Sequence, residues 1–229
     1  MKIAGFQKNS FIDFPGKIAS VIFLGGCNMR CYYCHNYNIL CSSSNTHDFA
    51  NILPQIRDQL GFIDAVVVSG GEPTLYPHLE QLIREIKGMG LLVKLDTNGT
   101  NPRLMKKLVG EGLVDYVAMD IKAGPTKYDQ ITMVKNPMDK IRESIQFLIG
   151  QDNVNYMFRT TLAPILGADD MAEIAELIRG AKTYQIQQFV PNEFSNDQSV
   201  IMFPHTLAMA QGFADIIGES VGEVLLRGF

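Results

Sequence analysis

The chain has 229 residues, 46% of them hydrophobic and 19% charged, with 20 basic against 24 acidic side chains. That length and composition suit one globular domain over residues 1–229, and no basic stripe of the kind nucleic-acid binders carry is present. No run approaches the ~18 apolar residues of a membrane span, Met1–Phe6 lacks the apolar core of a secretion signal, and clustered cysteines favour a reducing cytoplasm. In chain order, β-rich apolar runs fall at Ile18–Leu24, Ala65–Ser69, Leu91–Asp96, Tyr116–Asp120, Tyr156–Leu162 and Ile186–Val190, with a short one at Val224–Leu226. Amphipathic helical patterns lie between them, at Ile52–Leu60, Leu79–Lys87, Leu104–Val109, Lys140–Ile149, Met171–Arg179 and Thr206–Ile217. Leu79, Leu82, Ile83 and Ile86 repeat at i, i+3, i+4 and i+7, which is one buried helix face. Strands alternating with helices call for a parallel sheet with right-handed crossovers. About six units are too few to close an eight-unit barrel, so the pattern predicts an α/β fold, a partial (β/α)6 barrel.

Three of the four cysteines fall within eight residues, Cys27, Cys31 and Cys34, spaced C-x3-C-x2-C. Thiols this close can wrap one metal centre, whereas a disulfide would leave one over and strain so short a loop. Thiolates select zinc or iron–sulfur clusters, and closed sites of either kind take four protein ligands. Three therefore point to a cubane cluster with one iron open to a non-protein ligand. The alternative is a zinc loop completed by Cys41 or a histidine. Cys41 follows Cys34 after six intervening residues, in a Ser/Asn-rich stretch, and reads as a spare thiol, while His47, His78 and His205 read as structural or exposed.

Polar groups recur where the strands end: Ser69-Gly70-Gly71-Glu72, Asp96-Thr97-Asn98-Gly99, Asp120-Ile121-Lys122 and Arg159-Thr160-Thr161. In barrels of this kind the chemistry sits at those C-terminal ends. Taken singly each motif is weak: Gly-Gly-Glu-Pro and Asn-Gly are ordinary turns, and Asp120 with Lys122 could be a solvated pair. Arg159 interrupts a segment otherwise fit for a buried strand, so it needs an anionic partner.

Together these residues resemble the radical S-adenosylmethionine (SAM) superfamily, whose signature is C-x3-C-x2-C with an aromatic before the last Cys, here Tyr33. The resemblance implies the radical SAM type of partial barrel. It also implies a [4Fe–4S] cluster on Cys27, Cys31 and Cys34 whose open iron chelates SAM and, once reduced, cleaves it to methionine and a 5′-deoxyadenosyl radical. Tyr33 would lie near the adenine, Asn36 would hydrogen-bond SAM, and His35 would pack beside the cluster. Ser69, Gly70 and Gly71 would offer backbone to the methionine part and Glu72 would accept from its ammonium. Asp96, Thr97, Asp120, Lys122 and Arg159 would surround the SAM carboxylate or ribose. A monovalent cation held by Asp96, Thr97, the Met119 carbonyl and Asp120 is also implied.

From Phe11-Ile12-Asp13-Phe14-Pro15-Gly16-Lys17 to Arg159-Thr160-Thr161 the chain resembles glycyl-radical-enzyme activases of the pyruvate formate-lyase activase family. The Asp-Phe-Pro-Gly-Lys opening is most similar to the activating protein of anaerobic ribonucleoside-triphosphate reductase. The implied function is that of an oxidoreductase that generates a glycyl radical on a partner enzyme, with flavodoxin or ferredoxin as electron donor and neither nucleic acid nor membrane as partner. Phe189-Val190-Pro191-Asn192-Glu193 stands where the formate-lyase activase has a SAM-binding histidine, which leaves the cap over the adenosine open. A formate-lyase-type activase, a radical SAM enzyme modifying a small molecule or peptide, an electron carrier, and a non-enzymatic zinc module are the competing readings.

Overall fold

From residue 17 onward strand follows helix almost without interruption. The structure, a computed structural model, describes residues 2–34, 47–191 and 203–229. The His35, Asn36 and Cys41 expectations, and the Asn192-Glu193 end of the adenosine-cap stretch, lie outside these residues. A short strand β1 (Lys2–Ile3) precedes β2 (Gly5–Phe14) and β3 (Lys17–Leu24). β2 and β3 form an antiparallel hairpin across Pro15-Gly16, where Pro fixes one φ and Gly16 takes φ +68°. β4 (His47–Asp48) pairs with β1 and leads into α1 (Phe49–Arg57), whose first turn is capped by Asp48 accepting from the Ala50 N–H at 3.2 Å.

The repeating units are then β5 (Ala65–Gly70), α2 (Leu79–Lys87), β6 (Leu92–Thr97), α3 (Pro102–Gly110), β7 (Tyr116–Asp120), α4 (Tyr128–Thr132), α5 (Met138–Ile149), β8 (Asn155–Leu162), α6 (Ala168–Leu177), β9 (Thr183–Gln188), α7 (Leu207–Gly218) and β10 (Glu223–Arg227). The main sheet has eight strands in the order β10-β9-β8-β7-β6-β5-β3-β2, parallel throughout except for β2. This is the predicted α/β partial barrel, widened by an antiparallel strand at one edge and β10 at the other.

The sheet is curled. Laid flat, eight strands would separate the two edges by about 34 Å at the usual spacing. Yet Arg227 of β10 and Asp13 of β2 approach to 3.8 Å. The edges share no backbone ladder, so this ion pair bridges an open seam.

Successive strand residues face opposite ways, which gives the curled sheet a convex and a concave side. On the convex side Val66, Val68, Val93, Leu95, Val117, Phe158 and Ile186 pack under the helices, against residues such as Leu82, Ile83, Leu108 and Ile145. Each such side chain contributes about 1.5–3 kcal/mol by leaving water. The concave side has a small apolar floor of its own: Phe14, Ala19, Val21, Ala65 and Val67, backed by Phe23, Leu92 and Tyr116. Above that floor, toward the C-terminal strand ends, the lumen turns polar. No helix among the described residues is long and apolar enough to cross a membrane.

Candidate active site

The C-terminal ends of the parallel strands surround a cavity of about 320 Å³. Cys27, Cys31 and Cys34 all line it, as do Tyr33, Ser69, Gly70, Gly71, Asp96, Thr97, Asp120, Lys122 and Arg159. The topology accounts for this gathering, because these residues lie toward, or just beyond, the C-terminal ends of five parallel strands, β3, β5, β6, β7 and β8.

The cysteine loop leaves β3 through Gly25-Gly26, with Gly26 at φ +83°. Its path is held by the neighbouring β5 exit and by the end of α4. Gly71 N–H donates to Leu24 C=O at 2.9 Å, Glu72 N–H to Gly26 C=O at 2.9 Å, and Arg30 N–H to Thr132 C=O at 2.9 Å. At Gly70 (φ +116°) a Cβ would stand 2.3 Å from the Leu24 oxygen, so only glycine lets β5 end this close to β3. A second tie comes from the turn after β6: the Asn98 side-chain amide donates to Asn28 Oδ1 at 2.9 Å and reaches Cys27 Sγ at 3.9 Å. Asn28 in turn donates to the Thr100 hydroxyl at 2.9 Å.

Glu72 departs from its expected place. It is 1% exposed and does not line the cavity. Its carboxylate accepts from the Thr97 hydroxyl at 2.8 Å, the Asn98 N–H at 2.6 Å, and both the N–H (3.0 Å) and hydroxyl (2.5 Å) of Thr74. In place of the expected contact with the SAM ammonium, the structure shows protein donors on this carboxylate, three on Oε1 and one on Oε2, which lock the β5 and β6 exits together. Burial pushes the Glu72 carboxyl up, and the four donors pull against that shift.

A chain of alternating charges crosses the lumen. Lys94 Nζ lies 2.5 Å from Asp96 Oδ1, and Asp96 Oδ2 accepts from Ser69 Oγ at 3.0 Å and from Arg159 at 3.2 Å. Arg159 Nε reaches Asp120 Oδ1 at 2.5 Å, and Lys122 Nζ reaches Asp120 Oδ2 at 2.8 Å. Burial alone would raise both carboxyls, but the cations overcome it: Arg159 and Lys94 lower Asp96, and Arg159 with Lys122 holds Asp120 far below the usual carboxylate range. The partner that Arg159 needs in a buried strand is thus a pair of aspartates. Three cations face two carboxylates, leaving one positive charge in excess.

The cysteines are buried enough that desolvation pushes the Cys31 thiol up to about 11 and raises Cys27 as well. A metal must displace those protons to bind. Among the described residues no three His, Cys, Asp or Glu side chains are gathered into a group that could hold a metal ion as they stand, although the three thiols line one cavity. The buried Tyr33 hydroxyl has no hydrogen-bond partner among the described residues. A cavity lined by three cysteines, an unsatisfied buried hydroxyl and surplus positive charge suits a thiolate-bound cluster with an anionic organic ligand beside it.

Several residues were not singled out from the sequence. Asp13, Gln187, Gln188 and Arg227 line the cavity from the seam side. Lys94, likewise, supports Asp96 from the floor side, in register with Tyr116, while Asn98, already read as part of the strand-end motif, braces the cysteine loop. Lys94 had a readable signal, since it lies two residues before Asp96 and so shares its face. His205 sits against Ala163 C=O and the Phe213 ring.

Residues 21–178 match the family model of the Radical SAM superfamily. The Methanocaldococcus jannaschii protein MJ1227, named "Putative glycyl-radical enzyme activating enzyme", is 35% identical over 203 residues, which cover 86% of this chain and 83% of that protein. The crystal structure of Streptococcus suis SuiB bound to S-adenosylmethionine superposes with a TM-score of 0.67 at 12% identity, over 89% of this chain and 48% of SuiB. A domain of pyruvate-formate lyase-activating enzyme from Bacteroides vulgatus gives 0.52 at 18% identity, over 72% of this chain and 99% of that domain.

Proposed function

The chain belongs to the radical SAM superfamily, and from that premise we propose that it activates a glycyl radical enzyme, most specifically an anaerobic ribonucleoside-triphosphate reductase. The likeness to MJ1227 along most of both chains carries the activase reading. The Asp13-Phe14-Pro15-Gly16-Lys17 hairpin supports the choice of reductase. The cofactors are the superfamily's [4Fe–4S] cluster and SAM. When bound, they supply a 5′-deoxyadenosyl radical, which takes a hydrogen atom from the α-carbon of one glycine in the partner.

The remaining work belongs to the chain. Cys27, Cys31 and Cys34 hold the cluster at the end of β3. Gly70 and Gly71 present backbone to the methionine end of SAM from a β5 exit that lies hard against β3. Lys122 and Arg159 take its carboxylate, using the positive charge that Asp96 and Asp120 leave over. Tyr33 satisfies its hydroxyl against the nucleoside, and Asn36 adds a hydrogen bond. Glu72 positions Thr97 and Asn98. The walls exclude water from a reactive radical, and the seam between β2 and β10 leaves a lateral way in for a protein loop. The electron donor is a flavodoxin or ferredoxin, and the setting is the cytoplasm.

Anoxic reconstitution with iron and sulfide, reduction, and addition of SAM tests this reading. Release of 5′-deoxyadenosine together with a glycyl radical signal in added reductase is the expected result. Deoxyadenosine without that radical would shift the assignment to a small-molecule or peptide substrate, and no release from fully loaded protein would refute it.

A further inference from the structure

Lys94 is a lysine inside a barrel, with its side chain only 3% exposed. The ammonium is 2.5 Å from Asp96 Oδ1, while Ser69 and Arg159 occupy Oδ2 at 3.0 and 3.2 Å. Both oxygens of Asp120 are taken in the same way, by Arg159 and Lys122. The Thr97 hydroxyl donates to Glu72 at 2.8 Å and accepts from the Gly99 N–H at 3.1 Å. A monovalent metal cation at Asp96, Thr97, the Met119 carbonyl and Asp120 would therefore compete with donors already in place on both carboxylates. It would also enter a lumen that carries surplus positive charge.

We propose that Lys94 is a built-in counterion for Asp96, so that this chain accepts the SAM carboxylate without a bound monovalent metal cation. The ammonium is tethered on β6 and is held at the carboxylate at every salt concentration. Lys94 is a positioning residue: it acts through Asp96 and lies off the cavity lining. The inference rests on SAM as ligand and is independent of which partner is activated.

The test is cation exchange at constant ionic strength. SAM binding to cluster-loaded protein is measured by equilibrium dialysis in potassium, sodium and tetramethylammonium chloride, the last being too large for a carboxylate niche. Wild-type affinity is expected to agree within about threefold across the three salts, and Lys94→Ala to bind about tenfold more weakly in tetramethylammonium, recovering in potassium or sodium. The melting temperature of cofactor-free Lys94→Ala should rise in potassium over tetramethylammonium, while wild type stays level. A lysine that only filled space would give no such discrimination between salts of equal charge. A wild type whose SAM affinity falls by more than that threefold without sodium and potassium overturns the proposal, as does a folded Lys94→Ala indifferent to the cation. If the variant does not fold, the wild-type series decides alone. The melting series needs no cofactor and stands apart from SAM binding.

Discussion

The floor and the mouth of the lumen are built from neighbouring residues of the same strands, yet they follow opposite rules. In β5, Ala65 and Val67 close the apolar floor while Ser69 and Gly70 open onto the cavity. In β6, Leu92 packs on the floor, Lys94 comes next on that face, and Asp96 reaches the cavity. Four residues along a strand, about 13 Å, separate hydrocarbon from charge. The floor stabilises by excluding water. The mouth concentrates charges whose desolvation is costly and which persist only because each has a partner. That contrast separates residues kept for folding from residues kept for binding.

The sharpest break is at the cysteines. Cys31→Ser should abolish iron–sulfur absorption and lower SAM cleavage by at least about a thousandfold, while circular dichroism of the metal-free chain stays unchanged. Next is Arg159→Met, which leaves two buried carboxylates without their shared cation and should cost about 3–5 kcal/mol in denaturant unfolding. The same variant has a pH signature. Carboxyls held low in the fold contribute stability that is complete above their unfolded value near pH 4 and is lost as pH falls through the folded value. Removing Arg159 lets Asp96 and Asp120 rise, so acid unfolding should begin at a higher pH than in wild type.

The floor should answer differently. Phe14→Ala should cost about 3 kcal/mol in unfolding, yet the protein that remains folded should bind SAM within about twofold of wild type. A large loss of SAM affinity there would erase the distinction between the two regions. Smallest of all is Tyr33→Phe. Removing an unsatisfied buried hydroxyl should stabilise the cofactor-free chain by about 1 kcal/mol while weakening SAM a few-fold, a divergence that only a ligand-facing hydroxyl produces.

Much of this was legible in one dimension because it is local. Leu79–Lys87 is a helix with the predicted bounds, and five of the predicted strands begin and end within a residue or two of β3 and β5–β8. β9 runs Thr183–Gln188, earlier than the predicted Ile186–Val190, because glutamines at three of its six positions, two of them lining the cavity, break up its apolar pattern. β2 escaped notice for a similar reason: it is bulged twice, carries Lys8, Asn9 and Asp13, and leaves Phe11 and Ile12 exposed at a sheet edge. The five-residue helix α4 is too short for any periodicity to show.

The cysteines and the polar strand ends were readable because strand ends and motifs coincide. The orientation of Glu72 was not, since a carboxylate beside two glycines looks the same whether it faces ligand or protein. Nor was the meeting of Asp13 with Arg227. They stand at opposite ends of the strand order, and only the curl of the whole sheet brings them to 3.8 Å.

The most direct test of the activase reading follows the hydrogen atom. The loaded enzyme, SAM, a reductant and anaerobic ribonucleotide reductase carrying α-deuterated glycine would be combined without oxygen, and the 5′-deoxyadenosine weighed by mass spectrometry. Deuterium in the product, alongside a glycyl radical on the reductase, is the result predicted here. Unlabelled deoxyadenosine from a reductase that gains no radical would contradict it.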